Sequence, residues 1–263
     1  MFVKYTTRVA VFLFTAATCV ILFSSGSVRA ALTTEVSPQD IPINLMYHGA
    51  KLNIKGESDA NDDLIVRISS DPIDAHMKFK GKAAGLFWMK MGDISFEHVP
   101  AAYILTSSRN VDDLLLKNER INEGLGYESI KAKAKVESTA PNMDPDLWIE
   151  EFVKFKKAEN LYRIQEGTIA RNQGPNHNGY QVDIDWPFQA GPGTYNIEVL
   201  AVRNGKVVDR TETNLTVARS GIVAKLSDLA FNHAAVYGLI AIVVAMAAGF
   251  AVGALFKKGG GAH

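Results

Sequence analysis

Thr194–Val217 reads TYNIEVLAVR-NG-KVVDRTETNLTV, two extended runs meeting at Asn204-Gly205. Asn-Gly accepts the positive φ values of a tight hairpin turn, and the flanking runs are rich in Val, Ile, Thr and Tyr. The stretch therefore predicts a β-hairpin with Arg203-Asn204-Gly205 at its bend. Leu161–Gln165 and Gly179–Trp186 read as further strands. Nearer the N-terminus, Leu32–Val36, Ile41–Tyr47, Lys51–Lys55, Leu64–Ser69 and His76–Lys80 are short runs separated by Pro, Gly, Asn and Asp. Their spacing is about the 8–12 residues of a β-sandwich. Ala84–Lys90 and Ile94–Glu97 suggest another hairpin, closed around Met91-Gly92-Asp93.

Between the two groups of strands the periodicity turns helical, over Val111–Asn122 and Pro145–Asn160. Asp144 suits the N-cap and Pro145 the first turn of the second helix, whose apolar face carries Leu147, Trp148, Phe152 and Phe155. The expected fold is mainly β: an immunoglobulin-like sandwich over residues 31–219 with a helical insertion at about 110–160.

The two ends carry the apolar runs. Residues 1–30 have the form of a signal peptide: Lys4 and Arg8, then Val9–Phe23, then a small-residue exit with Val28-Arg29-Ala30 at the expected cleavage site. At the other end, residues 234–256 hold no charge and are long enough to span a bilayer, which takes about 20 residues. Residues 220–233 form an amphipathic lead-in, with Ile222, Val223, Leu226, Leu229, Ala230 and His233 on a helical period. Lys257-Lys258 opens a tail, 257–263, that the positive-inside rule assigns to the cytoplasm. The expected location is the inner membrane, single-pass, with the sandwich in the periplasm. Cys19 is the one cysteine and leaves with the signal peptide, so thiol catalysis and thiolate metal sites are excluded from the mature chain.

The chain has 28 basic and 28 acidic residues, but all the acidic ones lie between Glu35 and Asp228. Five basic residues (Lys4, Arg8, Arg29, Lys257, Lys258) fall outside that stretch, which leaves 23 against 28 and a net charge of −5 within it. A mildly acidic domain is a poor match for nucleic acid.

The run Lys80–Ser108, KGKAAGLFWMKMGDISFEHVPAAYILTSS, resembles the alphaproteobacterial transmembrane protein family Alph_Pro_TM. So do Leu161-Tyr-Arg163, Gly193-Thr-Tyr195, Arg203-Asn-Gly-Lys-Val-Val208 and Tyr237-Gly-Leu239 at the start of the span. The resemblance covers nearly the whole mature chain. It implies a single-pass protein facing the periplasm, associated with sulfite-exporter-like permeases.

No catalytic motif is present: Ser69-Ser70 and Ser107-Ser108 lack a nucleophile elbow, and there is no phosphate loop. Asp59-x-Asn61-x-Asp63 begins like a calcium loop but has Leu64 where glycine is required and Ser70 where glutamate should chelate. Met46-x-His48, His76-Met77, Met89-x-Met91 and His98 are ligand types that copper prefers. Within the span, Ala241, Ala245, Gly249 and Gly253 form a small-residue stripe of the kind that lets helices approach closely in lipid. The function expected is a non-enzymatic, membrane-tethered interaction module without a cofactor. Its partner at the stripe would be a polytopic permease or a second copy. The rival expectation is a periplasmic small-molecule or copper-binding protein serving transport.

Overall fold

The computed structural model describes residues 31–83, 86–139, 144–173 and 178–257. The signal-peptide reading of residues 1–30, Ala84 at the start of the expected second hairpin, and tail residues 258–263 lie outside them.

The strands are β1 (Glu35–Ser37), β2 (Asp40–Ile43), β3 (Ala50–Ser58), β4 (Asp63–Ser70), β5 (Pro72–Ala83), β6 (Phe87–Pro100), β7 (Tyr103–Ser107), β8 (Lys135–Ser138), β9 (Tyr162–Glu166), β10 (Ala170–Gln173), β11 (Asn178–Trp186), β12 (Gly193–Arg203) and β13 (Lys206–Arg219). The helices are α1 (Val111–Leu114), α2 (Lys117–Asn122), α3 (Tyr127–Lys133), α4 (Pro145–Ala158), α5 (Gly221–Asn232) and α6 (Ala234–Lys257). The fold is mainly β with one C-terminal apolar helix. The β12–β13 hairpin forms as its turn chemistry demands, with Asn204 and Gly205 both at positive φ (52° and 77°).

Three sheets form. One has the order β1-β3-β11-β10, the second β2-β13-β12-β4-β7-β9, and the third β5-β6-β8. The first sheet and one face of the second enclose a common core. Leu52, Ile54, Tyr180, Val182, Ile184 and Trp186 meet Leu64, Val66, Ile68, Ile104, Ile197, Val199 and Leu215 there. The opposite face of the six-stranded sheet is also covered. Ile65, Tyr103, Leu105, Leu200 and Val202 pack with Ile94, Phe96 and Val99 of β6 and with helix residues Val111, Leu114, Ile130, Ile149, Phe152 and Val153. Strands β4, β7 and β12 are thus apolar on both faces, and all five residues of β7 are buried.

Three expectations need correction. The span from 110 to 160 is not a purely helical insertion: it contains β8, which extends the third sheet by pairing with Glu97–Ile94 of β6. The helix expected over Val111–Asn122 breaks at Leu115, whose extended backbone (φ −139°, ψ 141°) separates α1 from α2 and buries Leu115 in the second core. Met91-Gly92-Asp93 is not a turn. Gly92 lies opposite Phe79 and Asp93 opposite Lys78 inside a long β5–β6 ribbon. Helix α4 starts as its sequence predicts: Pro145 is in the first turn, and the Asp144 side chain accepts a hydrogen bond from the Asp146 amide at 3.1 Å.

Candidate functional site

Helix α6 is apolar over Ala234–Ala254, 21 residues with a mean hydropathy of 2.4. At 1.5 Å per residue that is about 31 Å, the thickness of a bilayer's hydrocarbon core. None of it is buried against the rest of the described chain. Ala241, Ala245, Gly249 and Gly253 all stand exposed along it. A Cβ added at Gly249 or Gly253 would meet nothing within 4 Å, so no part of the described chain fills the stripe. The helix packs on α5, and the break between them falls at His233, whose amide donates to the Leu229 carbonyl at 3.1 Å. Helix α5 buries no residue and exposes Ile222, Leu226 and Phe231. An apolar face left open beside a membrane-length helix suits the membrane–water boundary.

A second feature was not legible in the sequence. Glu198 on β12 is 2 % exposed, on the face that carries Leu200 and Val202. It is paired with Arg67 of β4 and with Arg210 of β13 (3.1 Å). Arg210 also pairs with Glu123, and Arg67 donates to the Glu123 carbonyl at 2.6 Å. Burial lifts the Glu198 carboxyl above its ordinary range and outweighs the opposing pull of the two arginines. Beside this network, Tyr103 donates to the Gly124 carbonyl (3.0 Å) and accepts from the Gly126 amide (2.8 Å). Gly124 and Gly126 hold positive φ (72° and 86°), which turns the chain sharply between α2 and α3. A cavity of about 210 Å³ adjoins the seam, lined in part by Arg67, His98, Tyr103 and Lys133. Arg67 clamps the α2–α3 turn to the sheet through the Glu123 carbonyl.

The structure brings Met89 and Met91 together beside Gly81, but not with His76 or with Met46 and His48. Met46 and His48 lie in the turn after β2, with Met46 exposed and the His48 ring Nδ1 2.6 Å from the Met46 carbonyl. His76 is opposite Ser95 and contacts its hydroxyl at 2.7 Å, whereas Met89 is opposite Gly81. Five residues of strand, about 17 Å, separate those two rows. Among the described residues no three His, Cys, Asp or Glu side chains are grouped to hold a metal ion. The acidic turn at Asp59–Asp63 serves the fold. Arg203 pairs with Asp62 (2.6 Å) and Asp59 (2.9 Å), and Arg109 with Asp63 (2.6 Å). Ser108 donates to Asp63 at 3.0 Å, and Ser70 to the Asp71 carbonyl at 2.8 Å.

A search of curated proteins finds no match to the chain. The model of one family, Alph_Pro_TM, described as a transmembrane protein family, matches residues 31–258, a stretch that takes in all three sheets and α6. The protein belongs to the Alph_Pro_TM family of transmembrane proteins.

Proposed function

We propose that the protein is a membrane-tethered interaction module. In this reading an immunoglobulin-like domain in the periplasm is held at the inner membrane by α6, whose small-residue stripe packs against another membrane protein. The observation that carries it is the bare span: a membrane-length helix with no part buried by the described residues and an open groove over Gly249 and Gly253. In lipid there is little hydrophobic drive between helices, so close backbone approach along such a groove is the available source of affinity. The occupant we favour is a polytopic permease of the sulfite-exporter type, with a second copy of this chain as the other candidate. The immunoglobulin-like reading is supported by strand order. β1-β3-β11-β10 facing β13-β12-β4 has the arrangement of strands A-B-E-D against G-F-C.

The test replaces Gly249 and Gly253 together with Leu, and compares that variant with Val243→Leu/Val244→Leu on other faces of the helix. Crosslinking and mild-detergent co-purification at matched membrane levels should lose the partner only in the glycine variant. Retention of the partner by both variants would leave α6 as an anchor and nothing more. Orientation is tested separately. Protease added to spheroplasts should remove the domain and spare a tag placed after His263, and loss of the tag would reverse the topology.

A further inference from the structure

The β5–β6 ribbon is longer than the structure that covers it. Near its root one face is packed: Phe79 meets Trp148 of α4 edge-on at 5.1 Å, and Phe96 stacks on Phe152 at 4.4 Å. Strand β8 pairs with β6 only between Ile94 and Glu97. Beyond Phe79 no other described strand pairs with the two. The register shifts there, so that Lys80 lies opposite Lys90, Gly81 opposite Met89, and Lys82 opposite Trp88. Directly opposed residues share a face of a ribbon. Gly81 and Met89 therefore lie on one side, with the Met91 side chain laid across Gly81, where a Cβ would meet its Cγ at 2.9 Å. Lys80, Lys82, Trp88 and Lys90 lie on the other, with the Lys82 ammonium 5.6 Å from the Trp88 ring.

At the far end of this ribbon four large apolar residues in succession are open to solvent: Leu86 (75 %), Phe87 (74 %), Trp88 (69 %) and Met89 (51 %). A two-stranded ribbon is marginal in water by itself, and four exposed apolar side chains add to the cost. Lysines on a lone ribbon also guard its edges against pairing with another chain. That role accounts for the lysines, but not for Leu86-Phe87-Trp88-Met89.

We propose that the distal ribbon seats tip-first on an anionic lipid surface, that of the membrane α6 crosses. Leu86, Phe87 and Trp88 would enter the boundary between headgroups and acyl chains. The Lys80–Lys90 row, three rows or about 10 Å behind Phe87, then lies at the depth of the lipid phosphates. Charge points to an anionic surface, because Lys78, Lys80 and Lys82 stand exposed along one face of the ribbon, while Lys90 is paired with Asp93 at 2.6 Å. The ribbon is also rooted beside the membrane tether. Tyr195 pairs with Ser70 on one side and with Leu215 on the other, so β4 hands over to β5 at the same end of the sheet from which β13 runs into α5. The inference requires that α6 spans and that the tip of the ribbon reaches the membrane beside which its root lies, and it is independent of what the small-residue stripe contacts.

The experiment uses the full chain reconstituted into vesicles of phosphatidylcholine alone or with phosphatidylglycerol, with Trp88 emission taken as the difference between wild type and Trp88→Phe. That subtraction removes Trp148 and Trp186. In anionic vesicles the Trp88 signal should shift to the blue, lose its access to acrylamide and be quenched by acyl-brominated lipid. Lys80→Gln/Lys82→Gln, at exposed positions that leave the core untouched, should shift the balance toward the unseated ribbon by about fivefold per lysine. A Trp88 signal that stays water-like and acrylamide-accessible in both vesicles would overturn the proposal. So would protection from acrylamide without bromolipid quenching that disappears at one copy per vesicle, since a second copy would then be the cover. Equal quenching in neutral vesicles, indifferent to the lysine changes, would overturn the anionic surface.

Discussion

Phe152→Ala tests whether the helical layer is part of the sandwich or an appendage to it. Phe152 is 2 % exposed, stacks on Phe96 at 4.4 Å and meets Tyr162 edge-on at 6.1 Å, with the Lys156 ammonium 5.5 Å from its ring. Truncating a buried phenylalanine to alanine costs about 3–5 kcal/mol, as transfer free energy plus the cavity left behind. The rings of Phe96 and Tyr162 are held by their own strands and cannot close over the gap, which argues for about 4 kcal/mol. For a domain of this size, at about 2–4 °C per kcal/mol, the melting temperature should fall by about 8–16 °C. The assay is thermal unfolding of the full chain in detergent micelles, followed by far-UV circular dichroism. A second probe is Trp186 fluorescence in a Trp88→Phe/Trp148→Phe background. Trp186 lies in the other core, edge-on to Tyr195 at 4.7 Å. Because β4, β7 and β12 contribute to both cores, the two signals should move together. A Trp186 transition left in place while helical signal melts early would refute the reasoning, because the layers would then be separable units.

Gly56→Ala should destabilise by about 1–3 kcal/mol through overpacking. Its Cβ would run into the Thr33 carbonyl oxygen and approach the Tyr180 ring to 2.9 Å, and an unchanged melting temperature would contradict the close packing of the N-terminal segment on β3. Glu198 makes a prediction about pH. Its folded pKa is raised, so the stability it contributes is fully present below the ordinary carboxylate value and is lost as pH rises through the raised one. Wild-type stability minus that of Glu198→Gln should therefore decline from acid towards neutral pH, and a difference that climbs over that interval would mean that Arg67 and Arg210 outweigh burial. Replacing the pair together, as Arg67→Met/Glu198→Leu, should cost less than Arg67→Met alone, which leaves a buried carboxylate with one partner fewer. Denaturant titrations of both variants would decide this, and a double variant weaker than the single would overturn it.

The features legible in the sequence are those set by local chemistry. Asn204-Gly205 turns because those two residues accept positive φ, α4 begins where Asp144 and Pro145 cap it, and α6 announces itself by length and lack of charge. What was missed depends on layers that no short window of sequence contains. Tyr103–Ser107 shows no alternation because both its faces are covered, so β7 does not look like a strand. Glu198 sits where alternation along β12 would place a solvent-facing residue; only the helical layer over that face turns it into a buried ion pair. Leu200 and Val202 on the same side were the available signal, since a solvated face would not carry them. Met91-Gly92-Asp93 resembles a turn in composition, and its place inside a strand is decided by pairing with Lys78 and Phe79 at a bulge.

The pairing of β2 with β13 determines how the domain bears load. Any pull from the membrane enters through α5 at Arg219, the last residue of β13. That strand lies between β12, antiparallel over Gly193–Arg203, and β2, parallel over Asp40–Ile43. The junction is fastened further where the Ser220 amide donates to the Ile43 carbonyl at 2.9 Å. Ladder hydrogen bonds in the β12–β13 pair run across the strands, so tension along β13 strains them side by side instead of opening them one after another from the end. With neighbours on both flanks, the strand that meets the tether is held by the sheet against shear, so a pull on the anchor loads many hydrogen bonds at once.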